Sequence, residues 1–174
     1  MLSPFPAASR RLTFSPVTEA DFPALLTVYS SNPDYMEMSE GTRIVSLETV
    51  EKDHRENLEL PDSFSVAIRE QGSADIIGIS QFILRNPNDG FPWLGLIMLH
   101  SARQQHGYAR EFMETLIEWY RENGYEELRL GVLEKNRKVV PFYERLGFFT
   151  YEVKQSEKLG RVICMARKLT GGDQ

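Results

Sequence analysis

Apolar positions along this chain keep two periods, one near 3.6 residues and one of two, and the points where they change mark the elements. Leu12 to Ser15 reads as a short strand. Thr18 then opens a helix, with Asp21 placed to bond back to the cap, and Leu25, Leu26 and Tyr29 supply its apolar face. Asn32-Pro33-Asp34 stops it, and residues 35–45 read as an irregular segment ending in Gly41. Ser46 can cap a second helix whose Leu47, Val50, His54 and Leu58 share one face, and Leu60-Pro61 ends it.

The period then drops to two. Phe64, Val66 and Ile68 alternate, Gln71-Gly72-Ser73 turns, and Ile77, Ile79 and Phe82 continue a hairpin. After the turn residues Asn86 to Gly90, Trp93 to His100 is nearly all apolar, the mark of a strand covered on both faces. A helix follows over about 107–123, with Tyr108, Phe112, Leu116 and Tyr120 at steps of four and Glu111, Glu114, Glu118 and Arg121 facing away. Leu128 to Leu133 is a further strand, a short helix ends at Gly147, and two strands flank Lys158-Leu159-Gly160. The order β-α-α-β-β-β-α-β-α-β-β predicts an α/β (α+β) domain: a mixed seven-stranded sheet flanked by about four helices. One domain over 1–174 is expected, its core about 10–170, with a loose lead-in over 1–10 and a loose tail at 171–174.

Composition narrows the function. A formal charge of -5 over 174 residues lacks the basic footprint of a nucleic-acid binder, so no nucleic-acid partner is expected. Cys164 is the one cysteine, which leaves no internal disulfide and no cysteine-based metal site, and His54, His100 and His106 have no metal-ligand spacing. No signal peptide and no run of roughly 18 apolar residues is present, so a cytoplasmic protein with no membrane partner is expected.

The chemistry concentrates where the apolar strand runs into Ser101-Ala102-Arg103-Gln104-Gln105-His106-Gly107-Tyr108-Ala109 and then a helix. A helix N-terminus offers unpaired N–H groups and a partial positive charge, and small residues let an anion approach them. The spacing alone is equally that of a helix that simply begins at a glycine. It is neither a P-loop nor a dinucleotide fingerprint.

Gln104-x-x-Gly107-x-Ala109 resembles the cofactor motif Gln/Arg-x-x-Gly-x-Gly/Ala of the GCN5-related N-acetyltransferase (GNAT) superfamily. Downstream, the stretch from Asn136 to Phe148 is similar to the family's Asn-x-x-Ala-x-x-Phe/Leu-Tyr-x-Lys-x-Gly-Phe segment, with Val139 in place of Ala and Arg145 in place of Lys. The resemblance spans about 10–170 and is sharp over 93–148. It implies acetyl-CoA as co-substrate, with no metal. The backbone of Gln105, His106, Gly107, Tyr108, Ala109 and Arg110 would hold the pyrophosphate, with Gln104 opening the motif. Ile97, Met98 and Leu99 would line the pantetheine arm, on a sheet splayed beside their strand. Asn136 would lie in the turn before a helix that begins near Pro141, able to bond cofactor or backbone.

The implied reaction is direct attack of a primary amine on the acetyl thioester, with Tyr143 as general acid. A tyrosine, with an ordinary pKa near 10, stays protonated at pH 7 and can donate to the departing sulfur. Val139, Phe142, Tyr143 and Leu146 also share a helical face, the pattern of simple core. The strand before the loop carries no carboxylate to serve as base. His100 at its end is one candidate, and Glu37 and Glu40 are candidates to bind a cationic small-molecule acceptor or relay its proton. The alternatives are acetylation of a protein or peptide, and a non-catalytic CoA-binding sensor module. The C-terminal hairpin offers an edge for a homodimer.

Overall fold

Hairpin turns and amphipathic runs close into one sheet with helices on both faces. The computed structural model describes residues 1–170, so the tail expected at 171–174 lies outside the described residues. The strands are β1 (Leu12–Pro16), β2 (Ser63–Glu70), β3 (Ile76–Ile83), β4 (Trp93–Leu99), β5 (Glu127–Leu133), β6 (Phe149–Ser156) and β7 (Gly160–Lys168). The helices are α1 (Phe22–Ser30), α2 (Pro33–Glu40), α3 (Leu47–Glu59), α4 (Tyr108–Glu122) and α5 (Val140–Arg145). The spatial order is β1-β2-β3-β4-β5-β7-β6. Every neighbouring pair is antiparallel except β4 and β5.

That exception shapes the site. β4 and β5 pair only at Trp93↔Arg129 and Leu94↔Leu130, then part. The divergence begins at Gly95, where β3 places Gln81 opposite Leu96 but Phe82 opposite Leu94. This bulge inserts one extra residue into β4 and bends it. It also shifts the side-chain alternation by one. Leu94 and Leu99 therefore both pack toward Phe112 and Leu116 of α4, while Met98 packs with Leu25, Val28 and Val50 on the opposite face.

Three expectations are corrected. Residues 35–40 are not irregular, only 41–45 are: Pro33 starts α2, so that five helices flank the sheet where about four were expected. Proline at the first turn has a φ already set for a helix and no N–H to waste, so Asn32-Pro33 ends one helix and begins the next. Gly41, at φ +80, then caps α2 in the left-handed region. Second, α3 turns Val50 and Asn57 inward and leaves Leu47 and Leu58 exposed. Asn57 is tolerated there because its Nδ2 donates to the Phe64 carbonyl at 3.2 Å. Third, the lead-in is packed. The Phe5 ring lies 5.2 Å from Phe82 and 5.4 Å from Trp119, and Ser3 N–H donates to Asn123 Oδ1 at 2.8 Å.

β7 inserts between β5 and β6, which buries Cys164 and leaves β6 as an edge strand with Phe149 and Val153 exposed. Among the described residues no helix is long and apolar enough to cross a membrane.

Candidate functional site

The loop between β4 and α4 is held from behind and open in front. Gln104 Nε2 donates to the Leu99 carbonyl at 3.1 Å and to Asn32 Oδ1 at 2.7 Å. Asn32 Nδ2 donates to the same carbonyl at 2.9 Å. Ser101 N–H donates to Ser31 Oγ at 3.0 Å. The end of α1 thus fixes where β4 stops. From the other side Arg11 donates to the His106 carbonyl at 2.9 Å, and its guanidinium pairs with Glu111 at 2.8 Å. Glu111, expected to face away, is drawn in by Ser9 and Arg11. Burial alone would raise its carboxyl, but those bonds outweigh it and hold the group below the ordinary range.

Within this frame Gln105 (φ 64) and Gly107 (φ 80) both take left-handed backbone. Gln105 is a non-glycine residue held in a sparsely populated region, a form of local strain that concentrates at binding loops. The backbone N–H groups of Gln105, His106, Gly107, Tyr108, Ala109 and Arg110 donate to no acceptor among the described residues. A Cβ at Gly107 would lie 3.2 Å from Arg11 Nη2. The result is an open row of amides at a helix N-terminus with a guanidinium beside it, which fits a phosphate group. His106 and Arg110 are exposed next to it, and Arg110 pairs with Glu114 along the helix at 2.9 Å.

Ile97, Met98 and Leu99 lie past the point where β4 and β5 part. The edge of β4 that would have met β5 therefore pairs with no strand there, although the Leu99 carbonyl is already taken by Gln104 and Asn32. Downstream of β5, α5 begins with Pro141 in its first turn, as expected. Asn136 breaks the preceding 3₁₀ segment (φ -106, ψ 28), and its side chain bonds to nothing among the described residues. Tyr143 is half-buried between Phe142 and Phe148, with ring centroids 5.1 and 5.9 Å away, and its hydroxyl has no hydrogen-bond partner among the described residues. Burial pushes the phenol above its ordinary value, and the Tyr35 phenol adds to this. It remains a proton donor across the neutral range.

The three residues expected at an acceptor site separate. His100 is a cap: its Nδ1 accepts from Ala102 N–H at 3.0 Å. Glu37 pairs with Arg43 at 3.2 Å and faces a surface depression shared with Asp34, Met38, Lys135 and Lys138. Glu40 alone enters a pocket of about 380 Å³ that opens beside the β4 bulge. Gly95, Leu96 and Met98 form one wall, Tyr35 and Met36 another, and Asp53 and Glu56 of α3 a third. Burial pushes Asp53 up to about 6, with the charges of Glu40 and Glu56 adding; the Tyr29 hydroxyl, which bonds to it, and Lys52 pull the other way. Tyr35 is pushed up to about 12 by burial and by Asp53 and Glu40. Asp53, Tyr35 and Arg11 were missed in the sequence. A usable signal existed for Asp53, an acid on the same face of α3 as Val50 and Asn57; Arg11 gave none.

A profile of the acetyltransferase (GNAT) domain family matches residues 11–149. The chain is 24% identical over 93 residues to the uncharacterized protein YkzC of Bacillus subtilis, covering 53% of this chain and 65% of that relative's length. Among solved structures, it matches the Salmonella typhimurium acetyl transferase that modifies the N-terminal serine of ribosomal protein L7/L12, with TM-score 0.76, 20% identity, and 94% and 98% of the two chains covered. It also matches the Vibrio cholerae spermidine N-acetyltransferase solved with CoA and spermine, with TM-score 0.70, 16% identity, and 92% and 97% covered. At these identities the structural likeness is one of fold.

Proposed function

The chain belongs to the acetyltransferase (GNAT) domain family, and from that premise we propose that it moves an acetyl group from acetyl-CoA to a primary amine of a small molecule by direct attack. The observation that carries this is the loop of open amides at Gln105 to Arg110, which follows directly on the stretch of β4 that has parted from β5. Bound there, acetyl-CoA supplies the acetyl thioester. The amides of Gln105 to Arg110 and the Arg11 guanidinium hold its pyrophosphate. The unpaired edge over Ile97, Met98 and Leu99, apart from the Leu99 carbonyl, pairs with the pantetheine amides, and Asn136 is free to bond the same arm. Gln104 acts as a strut, tying the cradle to β4 through the Leu99 carbonyl. Tyr143 keeps its proton until the C–S bond breaks and gives it to the sulfur. General acid catalysis of this kind contributes ~10²–10⁴-fold.

Calorimetric titration with acetyl-CoA tests the reading. One-to-one binding is expected, weakened at least ~10-fold by Gly107→Glu, which puts a side chain on left-handed backbone and a negative charge among the phosphate donors. An absence of binding by the folded protein at millimolar acetyl-CoA would refute it.

A further inference from the structure

We propose that Asp53 receives the ammonium of the acceptor and takes its proton, and that the pocket it shares with Glu40 and Glu56 selects amines bearing a second positive charge. This rests on the acyl transfer proposed above and assigns the base that β4 lacks.

The geometry sets the role. The pocket is bounded by the bulged stretch of β4, so it meets the opening where the thioester would lie. Its charged lining residues are Glu40, Asp53 and Glu56, with no lysine or arginine. Lys52, whose charge acts on Asp53, is half exposed and lies 3.8 Å from Glu56. Gln81 also lines the pocket, and its Nε2, a donor, is buried without a partner, so it is left for an acceptor oxygen and not for the ammonium. Glu56 already has Lys52 beside it, but Glu40 and Asp53 have no cation in the lining, and a dication supplies the two charges they lack.

The groups acting on Asp53 come from each helix around it. Tyr29 of α1 donates its hydroxyl, Tyr35 and Glu40 come from α2, and Lys52 and Glu56 from α3 itself. The strand residues in the lining carry no charge. Tyr35 links the two proton sites, since it lines the pocket with Asp53 and also acts on Tyr143. With its carboxyl raised to about 6, Asp53 is ionised at neutral pH yet more basic than an ordinary aspartate.

The protons balance. Asp53 takes one proton from the ammonium before attack. The freed lone pair makes the N–C bond, and the C–S bond breaks with its electrons passing to sulfur. Tyr143 protonates the sulfur and regains a proton from the nitrogen. Asp53 then releases its proton to water at the pocket mouth. Ammonium and acetyl thioester give amide, CoA thiol and one proton.

Asp53→Asn tests this, because asparagine can still accept the Tyr29 hydrogen bond. Wild type and variant are expected to bind acetyl-CoA equally, which doubles as the folding control. Failure of the wild type to bind acetyl-CoA removes the acyl-transfer reading and this one with it. Turnover is then read as released CoA thiol, with spermidine, 1,4-diaminobutane, butylamine and a Ser-Ala-Ala amide as acceptors. At pH 7 the variant should lose ~10²–10³-fold in kcat/KM for spermidine. Wild-type kcat/KM should rise through about pH 6 and level off, a limb the variant lacks. Spermidine and the diamine should exceed the other two by about fivefold or more, the worth of one further partly screened ion pair. Glu40→Gln should raise KM for spermidine more than it lowers kcat. An unchanged kcat/KM in Asp53→Asn overturns the base, even where acetyl-CoA binds. A preference for butylamine or the peptide, or no turnover of spermidine, overturns the selection of a second charge.

Discussion

Asp53→Asn should stabilise the folded chain at pH 8 and leave it unchanged at pH 3. The carboxyl is held at about 6 in the fold against an ordinary 3.8, chiefly by burial. Between those values the folded state binds more protons than the unfolded one, so stability falls as pH rises through the window, and the loss is complete above about 7. At 1.36 kcal/mol per pH unit the full difference is about 3 kcal/mol. Water reaching the carboxyl through the pocket mouth screens it, leaving ~1–2 kcal/mol. Asparagine does not titrate and keeps the Tyr29 bond, so the variant gains that amount only where the aspartate is ionised. For a chain of this size ~1–2 kcal/mol is a rise in Tm of roughly 2–8 °C. Scanning calorimetry of both proteins from pH 3 to 8 should show two Tm curves that meet at low pH and separate between about 4 and 7. A constant gap, or a variant less stable at pH 8, would refute the claim that this carboxylate is ionised against the preference of the fold. Such a cost, retained in the native chain, is what a group kept for its chemistry shows.

Other perturbations test other parts. Tyr143→Phe should keep its acetyl-CoA Kd and lose on the order of 10²-fold in kcat, and unchanged turnover would return Tyr143 to the core. Gly78 faces the end of β4: a Cβ there would lie 2.7 Å from the Met98 carbonyl oxygen and 2.6 Å from Leu99 Cδ2. Gly78→Ala should therefore cost ~1–3 kcal/mol in urea unfolding and also weaken acetyl-CoA binding, because the backbone it displaces is the edge proposed to hold the cofactor. A variant with wild-type stability would mean that β4 yields easily.

The elements were legible wherever one period ran long enough. α4 declared itself through Phe112, Leu116 and Tyr120, each fully buried, and the loop before it through its glycine and its place between strand and helix. The two motifs, Gln104-x-x-Gly107-x-Ala109 and Asn136 to Phe148, are local, so their resemblance to the family's motifs could be read without the fold. α2 escaped because its eight residues turn one side chain, Met36, fully inward, too few for a period to register. The lead-in escaped because Phe5 packs against residues distant in sequence, Phe82 and Trp119.

Sequence by itself pointed to most of the strand and helix types, to the proposed cofactor loop and to the candidate acid, since each depends on residues within a turn or two of one another. Tertiary structure decided the rest. The one-residue bulge at Gly95 opened the gap beside β4, and the insertion of β7 between β5 and β6 set the far side of the sheet. The acidic pocket required α1, α2 and α3 to converge, bringing Tyr29, Tyr35, Glu40 and Asp53 together from separate helices. A carboxylate's chemistry depends on its desolvation and on the charges around it. Those are properties of packing across the chain, which no local spacing encodes.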